Sequence, residues 1–203
     1  MHEVTAPIAV RPVGPTEIDD LDALFGTARS TRHCWCMSFC TSRAGFALGW
    51  FGGGNRRRFE AMAEGGIPMG LLASVAAMPV GWGACGPRSR YLGSAPSRHP
   101  LLGHQPRAED ETVWLLPCLF VRAGHRGQGI SHAVVDAAVS LARQHHATAV
   151  EAWPSYGDPS SGNGFLGRVE LFAELGFRRV AQPTPDRVIM RLDLPGPAKT
   201  PSR

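Results

Sequence analysis

A chain of 203 residues that is 43% hydrophobic is long enough to bury one substantial core, while two full domains would be a tight fit. The net charge of +4 is dispersed, twenty arginines standing against the single Lys199, which suits an anionic small molecule and argues against nucleic acid, whose footprint is a basic stripe. No apolar run reaches the roughly eighteen residues of a membrane span, and "MHEVTAPIAVRPVG" lacks the layout of a secretory signal, so a soluble, cytoplasmic protein without membrane contact is expected.

Residues Ile8 to Val13 read as a short strand. Beyond Thr16, which suits an N-cap, Ile18, Leu21, Leu24 and Phe25 recur at helical spacing. From Ser30 to Asn55 the chain mixes Gly, Cys and aromatic residues without a clear period; it is either an irregular aromatic segment with short helices packed on the core or the wall of a substrate pocket. The five cysteines, Cys34, Cys36, Cys40, Cys85 and Cys118, form an odd set without the spacing of a disulfide scaffold, the pattern of reduced thiols. Cys34, Cys36 and Cys40 cluster beside His33, but Cys-x-Cys is a poor bite for one tetrahedral ion, so no metal is expected.

A helix is predicted over Asn55 to Glu64, stopped by Gly65 and Gly66, and then a hairpin in "MGLLASVAAMPVGWGACGPR" with its turn near Ala77 to Pro79. Arg88 to Asp110 has no period and exceeds the usual connection length; such loops are lids, binding loops or disordered. "TVWLLPCLFV", Thr112 to Val121, suits a strand covered on both faces, and Pro117, lacking a ladder donor, predicts a bulge or a local loss of pairing there. Ile130, Val134, Ala137, Ala138 and Leu141 mark the buried face of a helix ending near His145 or His146. A strand in "ATAVEAWP", a short helix in "FLGRVELFAELGF" closed by Gly176, and a hairpin from "RRVAQ" and "RVIMRLDL" complete one domain over 1–194, with a Pro-rich frayed tail over 195–203.

The chemistry concentrates in "GHRGQGIS". A strand feeds a turn with Gly124, Gly127 and Gly129 that opens into a helix, so several N–H groups are left unpaired at the positive end of a helix dipole, a ready anion site. Glycine lets the backbone approach phosphate oxygens, Arg126 adds a charge-assisted contact and Gln128 a further donor, which points to a diphosphate from a nucleotide-derived cofactor. The spacing fits neither a Walker loop nor a dinucleotide fingerprint.

Arg126-Gly127-Gln128-Gly129-Ile130-Ser131 resembles the acyl-CoA motif of the GNAT acyltransferase superfamily, Arg/Gln-x-x-Gly-x-Gly/Ala, with Ser131 in place of the usual small apolar residue. The resemblance runs over roughly Ile8 to Leu194, and "CWCM", "PVGWGACGPR", "VWLLPCLFV" and "LFAELGF" are similar to a bacterial subgroup with poorly defined acceptors. It implies an α/β fold with a mixed, mostly antiparallel sheet flanked by helices, its strands splayed at the acyl-CoA site. It also implies acetyl-CoA as co-substrate, with the backbone of Leu119, Phe120 and Val121 pairing with the pantetheine arm and the amides of Arg126, Gly127, Gln128, Gly129, Ile130 and Ser131 holding the pyrophosphate. An amide of the splayed strand then polarises the thioester carbonyl. Dimers are common among similar proteins, and a homodimer is open here.

Direct attack of a neutral primary amine, on a small molecule or a protein lysine or N-terminus, is the implied reaction. The leaving thiol, with a pKa of about 8.5 if it behaves like cysteine, needs little acid help. Many relatives carry a tyrosine where this chain has Phe172 and an asparagine where it has Phe165; Tyr156 is the substitute acid, with an ordinary loop tyrosine as the alternative. Glu151, on the strand flanking the gap, is the preferred base and Glu111 the second, with structural pairing to arginine as the alternative for both. His125 adjoins the anion site, and Cys118 lies near the implied thioester, where a buried inert thiol is the simpler role. The competing reading is a catalytically weak acyl-CoA-binding regulatory module.

Overall fold

The computed structural model describes residues 6–91, 107–156 and 165–195. The expectations for the long loop and the tail fall largely on 92–106 and 196–203, outside the described residues. Among the described residues no helix is long and apolar enough to cross a membrane.

Strands β1 (Ile8–Pro12), β2 (Gly70–Val75), β3 (Met78–Pro87), β4 (Val113–Val121), β5 (Ala149–Ala152), β6 (Arg178–Thr184) and β7 (Arg187–Asp193) form one sheet in the order β1-β2-β3-β4-β5-β7-β6. Every pairing is antiparallel except β4 with β5. The parallel pair needs a crossover, supplied by the helix α5 (Ile130–Gln144). Its apolar stripe, Ile130, Val134, Val135, Ala138, Leu141 and Ala142, is buried against the β1–β5 side. Helix and sheet come close because β3 presents glycine there: a Cβ on Gly81 would meet Ile130 Cγ2 at 2.5 Å and one on Gly83 would meet Val134 Cγ1 at 2.5 Å. This contact sets where the helix N-terminus emerges.

The opposite face is covered by α1 (Ile18–Phe25), α2 (Arg29–Cys34), α3 (Arg43–Gly49) and α4 (Gly54–Ala63), so the aromatic segment is largely short helices. Phe25, Trp35, Phe59 and Trp82 pack there edge to face, with ring centroids 5.3 to 5.9 Å apart. Thr16 does not cap α1; a 3-10 turn precedes it, and the Glu17 carboxylate accepts from the Gly14 amide at 2.9 Å. The β2–β3 turn lies at Ala76 and Ala77, slightly earlier than expected, with φ of 48° and 65°. A short helix α6 (Val169–Glu174) ends at Gly176, whose φ is 83°.

Pro117 sits where the sheet changes. On one side, the β3 register shifts between Ala84, opposite Cys118, and Gly86, opposite Leu115, leaving one extra residue on β4. On the other, the ladder with β5 runs from Val113 to Leu116 and ends just before the proline. Both outcomes expected of a proline in a central strand, a bulge and a loss of pairing, are present. Beyond it Cys118 to Val121 pair with β3 alone, and a gap opens toward β5.

Candidate functional site

The gap leads to the glycine turn. Gly124, Gly127 and Gly129 have φ of 86°, 74° and 79°, a region open to glycine at little cost, and Gly129 is the N-cap of α5. The first main-chain bond of the helix runs from Ala133 to the Gly129 carbonyl. The N–H groups of Arg126, Gly127 and Gly129 to His132 meet no main-chain acceptor among the described residues. They lie at the positive end of a fifteen-residue helix.

A cleft of about 520 Å³ brings together Leu119, Phe120, Val121, Arg126, Gly127, Gly129, Ile130 and Ser131. Gln128 is not on its wall: its Nε2 donates to the Gly124 carbonyl at 3.1 Å, bracing the turn from behind. Arg126 reaches back through Nε to the Val121 carbonyl at 3.5 Å. His125 also lines the cleft, and its Nδ1 is buried without a hydrogen-bond partner.

On β4, Phe120 and Arg122 bond toward β3, which turns the polar groups of Leu119 and Val121 toward the gap. The Leu119 amide is already engaged, donating to the Phe165 carbonyl at 2.6 Å. Of the three residues expected to pair with the arm, Phe120 bonds toward β3 instead, and Val121 is the one whose amide faces the gap without such a contact. Phe165 was not among the residues expected to line the site, and neither were His132, Ser155, Gly167, Arg168 and Leu171, which complete the cleft wall. His132 lies in the first turn of α5 and Leu171 in α6, while the others follow β5 or precede α6, so only the crossover topology brings them beside β4.

The three residues expected to move protons lie elsewhere. Glu151 is fully buried: its Oε2 accepts from Arg88 Nη1 at 3.1 Å and its Oε1 from Arg191 Nη1 at 3.2 Å. Those guanidiniums pair in turn with Asp110 at 2.8 Å and Glu109 at 2.7 Å. Burial pushes the Glu151 carboxyl above its ordinary range, against the pull of Arg88 and Arg191. It borders neither this cleft nor the second cavity described below, and the geometry makes it a structural anion in an arginine network. Glu111 lies at the far end of β4, exposed, accepting from Ser89 Oγ at 3.1 Å. Tyr156 is exposed, its hydroxyl 3.3 Å from Arg179 Nη1 as acceptor. Phe172, which the resemblance sets at the position of an expected tyrosine, is fully buried beside Phe177.

Across the Phe120 and Phe165 rings, whose centroids are 5.9 Å apart, lies a second cavity of about 510 Å³. Both rings line both spaces, so they form the partition between them. Cys34, Cys36 and Cys118 contribute to its wall. Cys36 Sγ accepts from Trp82 Nε1 at 3.1 Å, and its thiol is pushed well up, first by its contact with Cys118 and then by burial. A thiol held neutral in this way is an inert packing group.

No protein-family model and no curated protein sequence matches the chain. Solved structures do. An acetyltransferase from Thermus thermophilus superimposes with a TM-score of 0.53 at 16% identity, over 96% of this chain and 100% of that one. A ribosomal-protein-alanine N-acetyltransferase from Brucella melitensis gives 0.54 at 16% identity, over 92% and 99%. The paia N-acetyltransferase from Thermoplasma acidophilum, solved in complex with coenzyme A, gives 0.55 at 9% identity, over 93% and 99%. The chain therefore has the fold of these acetyltransferases, the mixed, splayed sheet that the resemblance to GNAT proteins implies.

Proposed function

We propose that this chain is a GNAT-type, acetyl-CoA-dependent N-acetyltransferase acting on a primary amine. The observation that carries the reading is the meeting of the unpaired amides at the N-terminus of α5 with the gap that opens beside β4 after Pro117. Arg126, Gly127 and Gly129 to Ser131 would hold the diphosphate, with Arg126 adding its charge. The edge of β4 at Val121 would take the extended arm, and Leu119 would join it once its amide leaves the Phe165 carbonyl. When bound, the thioester supplies the acyl group.

The acceptor enters from the second cavity, so that its nitrogen meets the acyl carbon at the Phe120–Phe165 partition. The amine nitrogen forms the new C–N bond as the C–S bond breaks, and the proton released by nitrogen passes to the departing thiolate or to water. Asp186 is the one carboxylate lining either cavity among the described residues. Its carboxyl is held below the ordinary range, chiefly by the Thr184 hydroxyl, so it serves as a fixed negative charge more than as a strong base. Catalysis then rests on alignment and on the thiol's readiness to leave.

A binding module without turnover is the second reading, favoured by Phe172 and by the commitment of Glu151 to its arginines. Thiol release from acetyl-CoA with a panel of primary amines separates the two. Steady turnover dependent on amine concentration is expected; tight acetyl-CoA binding with no turnover by any amine would favour the module.

A further inference from the structure

The second cavity has a composition that narrows the acceptor. Its aromatic wall is made of Phe25, Trp35, Phe39 and Trp82, and its charged groups are Arg43, Arg187 and Asp186. Among the described lining residues this leaves one positive charge in excess. A volume of about 510 Å³ falls inside the roughly 300–1,000 Å³ of small-molecule sites.

The rings alone would suit either a flat apolar group or an alkylammonium held over their faces. Two features decide between them. The Trp35 ring already carries a cation from its own chain, the Arg56 guanidinium 5.3 Å from its centroid. The excess guanidinium charge also repels a second ammonium whose carrier brings no anion. Arg187 is largely enclosed, with 20% of its side chain exposed, and its Nε lies 3.7 Å from the Asp186 carboxylate. Burial draws its guanidinium below the ordinary value, so a further anion beside it is favoured. The adjacent opposite charges of Asp186 and Arg187 match the adjacent ammonium and carboxylate of an amino acid, and the rings match an aromatic side chain.

We propose that the acceptor is an aromatic amino acid or a close analogue: a primary amine on a flat apolar ring that also carries a carboxylate. This rests on the reading of the chain as an acetyltransferase. The carboxylate lies against Arg187 and Arg43, the ring enters between Phe25, Trp35 and Phe39, and the amine faces the Phe120–Phe165 partition. The product is the N-acetyl amino acid, with coenzyme A released as the thiol.

The test measures thiol release at saturating acetyl-CoA with L-tryptophan, L-phenylalanine, tryptamine, glycine and a lysine peptide. Tryptophan or phenylalanine should exceed tryptamine, glycine and the peptide in kcat/KM by roughly tenfold or more. Arg187→Gln should bring the tryptophan-to-tryptamine ratio toward one, and Arg187→Lys should restore part of it. Equal or better turnover of tryptamine or the lysine peptide overturns the inference, as does a ratio unmoved by both Arg187→Gln and Arg43→Gln. If no amine turns over, calorimetric titration of L-tryptophan into coenzyme A-loaded protein decides: saturable heat supports the inference, and none overturns it. Acetyl-CoA binding is titrated separately. Its failure would remove the transferase reading, and tryptophan binding to the free protein would still judge the cavity.

Discussion

Glu151 illustrates how a residue of catalytic type becomes structural. Its position on β5 beside the gap was legible, but its two partners, Arg88 and Arg191, are 63 and 40 residues away in the chain, and no spacing rule connects them. Glu151→Ala should strip one fully buried and one largely buried guanidinium of an acceptor and lower stability by about 3–5 kcal/mol, read in urea denaturation. A variant of native stability that has lost turnover would restore Glu151 to catalysis. Cys34 offers a pH reading: burial first, and then the neighbouring Cys36, push its thiol up to about 11. Its alkylation rate should therefore keep climbing roughly tenfold per pH unit beyond pH 9, where an ordinary thiol levels off. A plateau near pH 9 would contradict the packing drawn around α2.

At the level of elements, strength of local signal separates what could be read from what could not. Pro117 announces both its bulge and the end of the β4–β5 ladder, because a missing N–H acts wherever the strand is placed. The glycine turn is equally legible, since φ values of 74° to 86° call for glycine. The short helices α2 and α3 carry no clear period because they contribute only a turn or two, and tertiary contact holds them. Lining residues such as Phe165 and Arg168 were silent for another reason: a crossover, not a local pattern, delivers them to the cleft.

Two element-scale changes test the fold. Gly83→Val would drive its side chain into Val134, 2.5 Å from the nearest methyl already for a Cβ, and should destabilise by about 1–3 kcal/mol or more. In the β2–β3 turn, Ala76 and Ala77 hold positive φ on the surface, where Asn-Gly is the natural pair. Ala76→Asn with Ala77→Gly should raise stability by about 1–2 kcal/mol in the same denaturation assay. No gain would mean that the turn is not of this type.

Across the whole molecule, the sheet positions two cavities on either side of one pair of rings, with the amides of α5 lining one and the Arg187–Asp186 pair lining the other. The overall order of strands and helices was readable because each long element carried its own period; the acceptor side was not, because it is assembled from α1, α2, α3, β3, β4, the segment before α6 and the β6–β7 turn. Both halves of the proposed reaction depend on the α5 N-terminus binding a diphosphate. The most direct test is the thermal response to acetyl-CoA of the wild type and of Ser131→Asp, a change that suits a helix N-terminus but sets a carboxylate where the diphosphate would lie. At about a hundredfold excess over Kd the wild type should gain about 2.7 kcal/mol, a rise in Tm of roughly 5–10 °C, and the variant, folded and no less stable alone, should gain nothing. An unresponsive wild type, or a variant that responds equally, would contradict the account.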